Sequence, residues 1–448
     1  MKAFSELLDN LNCTPQRNGR IRLLIDYFKK EQDPNRGWAV AILTAGLDVP
    51  NAKTSVVRRL ISARTDQKLF ELSYEYVGDL AETVSLLWPN TGTSKTHFNL
   101  ANIVEELQKA NRKTFHELVE NTLDKIDASE RFAFLKLIMG NLRVGVSARL
   151  VKLALAEYGN KKPSEIEELW FGLKPPYQDL FAWLEAKAPP PCINDKLIFR
   201  PLMLANPITK NALIDLKHQD FAAEWKWDGI RAILVGDGED CRLYSRTGDD
   251  IGKAFPDIVG ITKLRGVVDG ELLVARKGVV APFNDLQKRL GRKNPSRKLL
   301  EEYPAHFRVY DMLFNNDLDL RSKPLVERRT KLRQWVDTIG STRIDFSSQI
   351  DFSNWEELSA IRDKAREHGI EGLMLKRTNS PYLPGRPKGP WFKWKRDPLV
   401  ADCVLMYAQR GHGKRSSFYS DYTFGCWRST TDGVDELVPV GKAYSGFT

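Results

Sequence analysis

The segment Glu224-Trp225-Lys226-Trp227-Asp228-Gly229-Ile230-Arg231 sets a lysine, an acid and a glycine among aromatic residues. A lone Lys-x-Asp-Gly is weak evidence, since most such matches are a solvated lysine beside a turn. The setting here is less ordinary. The lysine falls at the end of a short strand, and the glycine permits close backbone approach. Around it, short β-branched or alternating runs appear, such as Arg231-Ala232-Ile233-Leu234-Val235 and Gly266-Val267-Val268-Asp269. They are interleaved with helical segments at 325–337 and 355–368. The mixture predicts an α+β domain over residues 195–397.

Upstream, residues 1–188 read as an all-α domain. Apolar residues recur at three- and four-residue spacing, as in Ile21, Leu24, Ile25, Phe28 and again in Phe134, Leu137, Ile138. Pro34, Pro50, Pro89 and Pro163 punctuate the pattern. Ala188-Pro189-Pro190-Pro191 is a stiff, extended stretch of the kind that links domains. Downstream, residues 398–448 hold strand candidates at Val404–Tyr407, Tyr422–Phe424 and Glu436–Val440, separated by Gly- and Ser-rich turns. A closed five-stranded barrel needs more chain than that, so a barrel cut short is expected.

Composition narrows the function. The net charge of +10 and pI near 9.2 favour a polyanionic partner. Basic and acidic residues are mixed along the chain, which points to a folded basic surface and not a disordered basic arm. The five cysteines are far apart in sequence and form no Cys-x-x-Cys or Cys/His cluster. They support neither a zinc site nor a disulfide framework, and read as reduced thiols in a cytoplasmic protein. The N-terminus starts an amphipathic helix without a signal peptide's apolar region. No apolar run approaches the ~20 residues that span a bilayer.

Five further segments follow the lysine. They are Ser245-Arg246-Thr247-Gly248, Asp269-Gly270-Glu271-Leu272, Val309-Tyr310-Asp311, Glu371-Gly372-Leu373-Met374-Leu375-Lys376 and Trp391-Phe392-Lys393-Trp394-Lys395. With the Lys226 segment, their order and spacing resemble motifs I, Ia, III, IIIa, IV and V of ATP-dependent DNA ligases. Capping enzymes and RNA ligases share that core. The resemblance spans almost the whole chain. Phe199-Arg200-Pro201-Leu202-Met203-Leu204-Ala205 is similar to the lead-in before motif I. Met139-Gly140-Asn141-Leu142-Arg143-Val144-Gly145-Val146-Ser147 resembles the DNA-contacting stretch of the helical DNA-binding domain found in larger ligases. Six ordered motifs together are far more specific than any one.

The resemblance implies a helical DNA-binding domain, an α+β adenylation domain and an OB-fold barrel. It further implies ATP as adenylate donor, Mg²⁺ or Mn²⁺ as metal, and nicked duplex DNA as substrate for a monomer active at the nucleoid. The pathway it suggests is DNA repair. Lys226 would be the nucleophile. A free lysine has a pKa of ~10.4 and is protonated at neutral pH, so it attacks phosphorus only where burial or nearby cations favour the neutral amine. Lys393 and Lys395, two apart on a strand, point the same way and can supply that charge while facing one phosphate. By the same resemblance Glu224 accepts from the adenine amino group and Tyr310 stacks on the base. Arg231 and Arg246 clamp phosphate and ribose, and Lys376 and Arg386 join the nucleotide site. Asp228 lies near the nick. Glu271 would hold the ribose or a metal, and Glu371 a metal. Arg143, Gly145 and Ser147 would meet DNA.

Taken singly, these residues have plainer readings. Lys-Trp-Lys would be a basic strand edge on DNA, Glu271 and Glu371 solvated turn acids, Tyr310 a core tyrosine, and Arg143 a solvated arginine at a helix end. The family pattern also departs at one point. Ligases of this kind end in a barrel carrying a basic motif VI that orients the pyrophosphate, whereas this sequence stops at Gly446-Phe447-Thr448. A truncated barrel and slow or absent adenylation are therefore expected. RNA ligation or capping is the rival within the superfamily, and a non-catalytic basic DNA-binding scaffold is the rival outside it. A four-cysteine zinc element and a nicotinamide-binding module, which NAD-dependent ligases carry, are not visible.

Overall fold

The computed structural model describes residues 1–89, 96–140, 142–193, 195–261, 264–364, 370–397, 400–411, 417–430 and 433–444. Asn141 and Gly446-Phe447-Thr448 lie outside the described residues. The chain divides into two compact units. One comprises Met1–Ile166, Leu173–Pro191 and Leu399–Thr448; the other comprises Glu167–Gly172 and Cys192–Pro398.

The first unit is helical from Lys2–Cys13 to Gln178–Leu184. Lys2–Cys13 shows the logic. Phe4, Leu7, Leu8 and Leu11 recur at helical spacing and are all buried. Side chains close many of the helix starts: Asp66, Asp79, Asn99, Asn111, Asp127 and Ser147 each accept from a backbone N–H of the first turn. The same unit contains a three-stranded antiparallel sheet from the last part of the chain. No helix among the described residues is long and apolar enough to cross a membrane.

Fifteen strands are described. They are β1 Asn206–Pro207, β2 Phe221–Trp227, β3 Ile230–Asp237, β4 Cys241–Ser245, β5 Arg265–Arg276, β6 Val279–Val280, β7 Ala305–Asn315, β8 Leu318–Asp319, β9 Ile344–Phe346, β10 Gln349–Ile350, β11 Ile370–Arg377, β12 Trp391–Lys395, β13 Val404–Arg410, β14 Tyr419–Ser429 and β15 Asp435–Tyr444. The last three form the sheet of the first unit, in the order β13-β14-β15. The second unit holds two sheets. One runs β1-β12-β11-β2-β10; the other runs β4-β3-β5-β7-β8, with β6 on β5 and β9 parallel to β7.

Strand β3 is buried on both faces, which explains its unbroken apolar run. Ala232 and Leu234 join one core with Val268, Phe307 and Val309, covered by Leu332 and Trp335 of the Leu325–Ile339 helix. Ile233 and Val235 join another with Phe199, Met203, Leu313, Tyr382 and Trp391. A third core lies on the β2-β11-β12 sheet, where Phe221, Ala223, Leu373, Leu375 and Trp394 pack with Leu213 and Leu358. The Trp355–Asp363 helix supplies Leu358; most of the remainder of the helical segment expected to 368 lies outside the described residues.

Candidate active site

Strand pairing explains why the motifs are spaced as they are. Lys226 of β2 lies opposite Gly372 of β11, which lies opposite Lys395 of β12. Two residues along, Glu224, Met374 and Lys393 form the next row. Alternation puts both rows on one face, so Glu-x-Lys on β2 and Lys-x-Lys on β12 meet there. The other sheet contributes a row of Arg231, Glu271 and Arg308 from β3, β5 and β7. The β5–β7 register slips between Asp269 and Gly270, whose partners are Asp311 and Val309, leaving Tyr310 as the extra residue of a bulge.

These faces enclose a cavity of about 430 Å³. Its walls include Glu224, Lys226, Arg231, Arg246, Glu271 and Tyr310 from the first four motifs, and Glu371, Lys376, Arg386, Lys393 and Lys395 from the rest. Seven cations face three carboxylates there, an excess suited to a polyanionic ligand. Asp228 is not among the lining residues, although it lies close enough to Glu371 and Lys226 to feel both charges. Burial first, then Glu371, raises its carboxyl above the ordinary range. Arg143, Gly145 and Ser147 belong to the first unit. Arg143 is exposed, Gly145 accepts from Arg20 Nη1 at 2.8 Å, and Ser147 caps the Ala148–Tyr158 helix.

The nearest charge to Lys226 is an acid. Glu371 Oε2 lies 2.6 Å from its Nζ and 3.1 Å from Lys395 Nζ, so one carboxylate bridges two cations that would otherwise repel. Burial works against ionising Glu371, but Lys226 and Lys395 hold its carboxyl below the ordinary range. Lys393 is lowered by burial and by Lys395, Arg386, Lys226 and Arg246 around it. Glu271 goes the other way. Burial, together with Asp269 and Glu371, outweighs Lys226 and Arg231 and pushes it up to about 8. It has no ion-pair partner among the described residues.

An uncompensated carboxyl beside a second one fits a hard divalent cation. No group of three or more His, Cys, Asp or Glu side chains that could hold a metal occurs among the described residues. Glu271 and Glu371 would therefore be the protein's share of such a site, with water and substrate phosphate completing it.

Several groups already have partners. Arg231 donates through Nε and Nη2 to buried Asp269 at 3.1 and 2.7 Å, and Tyr382 Oη donates to the same carboxylate at 2.7 Å. One edge of the expected phosphate clamp is thus spent inside the fold. Lys376 is buried. It donates to Glu224 at 3.3 Å and stands 4.3 Å from the Tyr310 ring centroid and 4.7 Å from that of Trp391. Burial, helped by Arg329, lowers its pKa against the pull of Glu224 and Asp311. Sequence reading missed Asp269, Tyr382 and Arg329 as supports, and Trp391 as a wall. Asp269 and Trp391 stand inside motif segments, two residues before Glu271 and Lys393 respectively, and that spacing is their only signal; Tyr382 and Arg329 lie outside those segments.

A family model described as "ATP dependent DNA ligase domain" matches residues 202–395, and one described as "DNA ligase N terminus" matches residues 1–156. A "Probable DNA ligase" of Koribacter versatilis is 32% identical over 495 residues, covering 100% of this chain and 83% of its own length. "DNA ligase 1" of Korarchaeum cryptofilum is 27% identical over 471 residues, covering 100% and 84%. Among solved structures, Pmar-Lig_PreS3 aligns over 99% of this chain and 88% of its own, with a TM-score of 0.61 at 15% identity, a likeness of fold. The chain belongs to the ATP-dependent DNA ligases, enzymes that form phosphodiester bonds.

Proposed function

We propose that this chain seals nicks in duplex DNA through an AMP carried on Lys226. The observation that supports it is the single cavity gathering residues of all six motif segments around that lysine. In the first step the neutral Lys226 amine attacks the α-phosphate of ATP. The N–P bond forms, the bond to pyrophosphate breaks, and the amine loses its proton. Lys393 and Lys395 face the charge that grows on the phosphate. Tyr310 offers a flat face to the base, and Glu224 accepts from its amino group. Arg246 and Arg386 contact the ribose and phosphates. Glu271 and Glu371 would hold a divalent cation, whose chemistry when bound is to neutralise phosphate charge.

The AMP then passes to the 5′-phosphate of the nick, and the 3′-hydroxyl displaces it, with Asp228 aligning that hydroxyl. Each step is an in-line displacement at phosphorus, driven by positioning and charge. In this reading residues 1–188 bind DNA with Arg143, Gly145 and Ser147 in contact. Residues 195–397 adenylate, residues 398–448 supply strands of an OB-fold barrel, and the protein works as a monomer in repair. Lys226→Ala should abolish transfer of label from α-labelled ATP to protein, read by denaturing gel and intact mass. Retained labelling would sink the assignment. Nick sealing on DNA but not RNA substrates separates this reading from RNA ligation.

A further inference from the structure

Glu224 is the most enclosed acid of the cavity wall, at 1% exposure, and it stands between two cations. Arg329 Nη1 donates to Oε1 at 2.6 Å; Lys376 Nζ lies 3.1 Å from Oε1 and donates to Oε2 at 3.3 Å. Arg329 comes from none of the six motif segments. It sits on the Leu325–Ile339 helix, where its Nη2 donates to the Ser347 carbonyl at 2.7 Å and its guanidinium lies 4.4 Å over the Phe346 ring. The preceding residue, Arg328, locks that helix in place. It grips buried Asp311 with two donors, at 2.7 and 2.9 Å, and also donates to the Lys323 and Ser380 carbonyls.

We propose that Arg329 is a positioning residue for base selection, fixing Glu224 so that the incoming nucleotide must present an N–H to it. The proposal rests on the reading of Glu224 as acceptor for the base's amino group. A carboxylate that two cations donate to is an acceptor only. A base with a carbonyl at that place sets acceptor against acceptor, and a base with nothing there leaves a buried charge short of a partner. Lys376 alone cannot set the orientation, because its compact ammonium also faces two aromatic rings. The planar fork of Arg329, tied at Ser347 and stacked on Phe346, can.

The test compares kcat/KM for lysyl-AMP formation with ATP and for the matching reaction with purine riboside triphosphate, which lacks the 6-amino group. Arg329→Met should lower the ATP value and leave the analogue nearly unchanged, so their ratio falls roughly tenfold or more. Arg329→Lys should restore most of the ratio. A merely structural defect lowers both values together, leaves the ratio intact and overturns the proposal. Failure of the underlying reading looks different. If Lys226→Ala takes as much label as wild type, the lysyl-AMP assignment fails; if Glu224→Gln leaves the ratio unchanged, the role of Glu224 fails. If Glu224→Gln collapses the ratio and Arg329→Met does not, Arg329 alone is wrong.

Cys403 and Cys426, 23 residues apart in sequence, meet in the structure. In the three-stranded sheet Val404 pairs with Gly425, and continuing that register by one sets Cys403 across from Cys426. Their sulfurs are 3.4 Å apart, and the Cys426 thiol also lies 3.7 Å from the Asp402 carbonyl. Cys403 is exposed, so an oxidant in solution reaches the pair directly. We infer that Cys403 and Cys426 form an oxidation site closing to an intramolecular disulfide. With hydrogen peroxide, two S–H bonds break, one S–S bond forms, and the two electrons and two protons leave as water with both peroxide oxygens. The bond length of ~2.05 Å requires the sulfurs to close by about 1.4 Å, a side-chain rotation in scale. Peroxide treatment of the full chain followed by non-reducing peptide mapping should give one linked peptide pair lighter by two hydrogens and reversed by dithiothreitol. Cys403→Ser and Cys426→Ser should each abolish it. Oxygen addition at Cys403 without the link, or a link between chains only, overturns the inference.

Discussion

Tyr310 shows how much a single side chain's role depends on backbone placement. Its ring borders the cavity because a bulge turns it there, and Lys376 already approaches it at 4.3 Å. If the ring serves as a stacking face, the hydroxyl is dispensable. Tyr310→Phe should keep the KM for ATP near wild type, while Tyr310→Ala should raise it roughly three- to tenfold, measured by lysyl-AMP formation at varied ATP. At this scale the sequence is readable where chemistry and spacing coincide. Lys226, Lys393 and Lys395 announce themselves because period-two alternation keeps them on one face. Arg329 and Asp269 do not. An arginine on an amphipathic helix and an aspartate in a strand carry no local mark of the partners that fix them, which lie 105 and 38 residues away.

Among the elements, β11 has the tightest constraint. Gly372 adopts φ +140°, and a Cβ there would come within 2.4 Å of the Trp394 carbonyl oxygen and 2.8 Å of Lys395 Cα. The strand therefore reaches β12 closely at the residue next to Glu371, which sets the acid between two lysines. Gly372→Ala should destabilise the protein by about 2 kcal/mol or more, seen as a lower midpoint in urea, and should cut adenylation beyond what that loss explains. The β-branched runs and alternating patterns of β3 and β5 are legible because packing on a pleated sheet selects them. The bulges are not, since they arise from how two strands pair and leave no period of their own. The last three strands are longer than their local patterns suggest. Exposed residues such as Tyr407, Tyr419 and Trp427 break the alternation that marks a half-buried strand.

For the molecule as a whole, the +10 charge predicts salt-sensitive binding to nicked duplex. Arg143→Ala should weaken that binding to a similar degree for all sequences and reduce the slope of log affinity against log salt by about one, measured by fluorescence anisotropy. Broad organisation is readable from composition: helical periodicity before the proline stretch, mixed patterns after it. What composition does not reveal is that Glu167–Gly172, inside the helical stretch, belongs to the second unit. There Glu168 pairs with Arg200 at 3.1 Å and Arg321 at 2.6 Å, and the Phe171 and Phe199 rings meet at 4.4 Å. Dissection is where this matters. A fragment begun at Cys192, after the obvious proline boundary, strips two arginines of their shared acid and one ring of its neighbour. A fragment begun at Glu167 keeps all three contacts and should melt several degrees higher by differential scanning calorimetry, roughly as expected for a few kcal/mol.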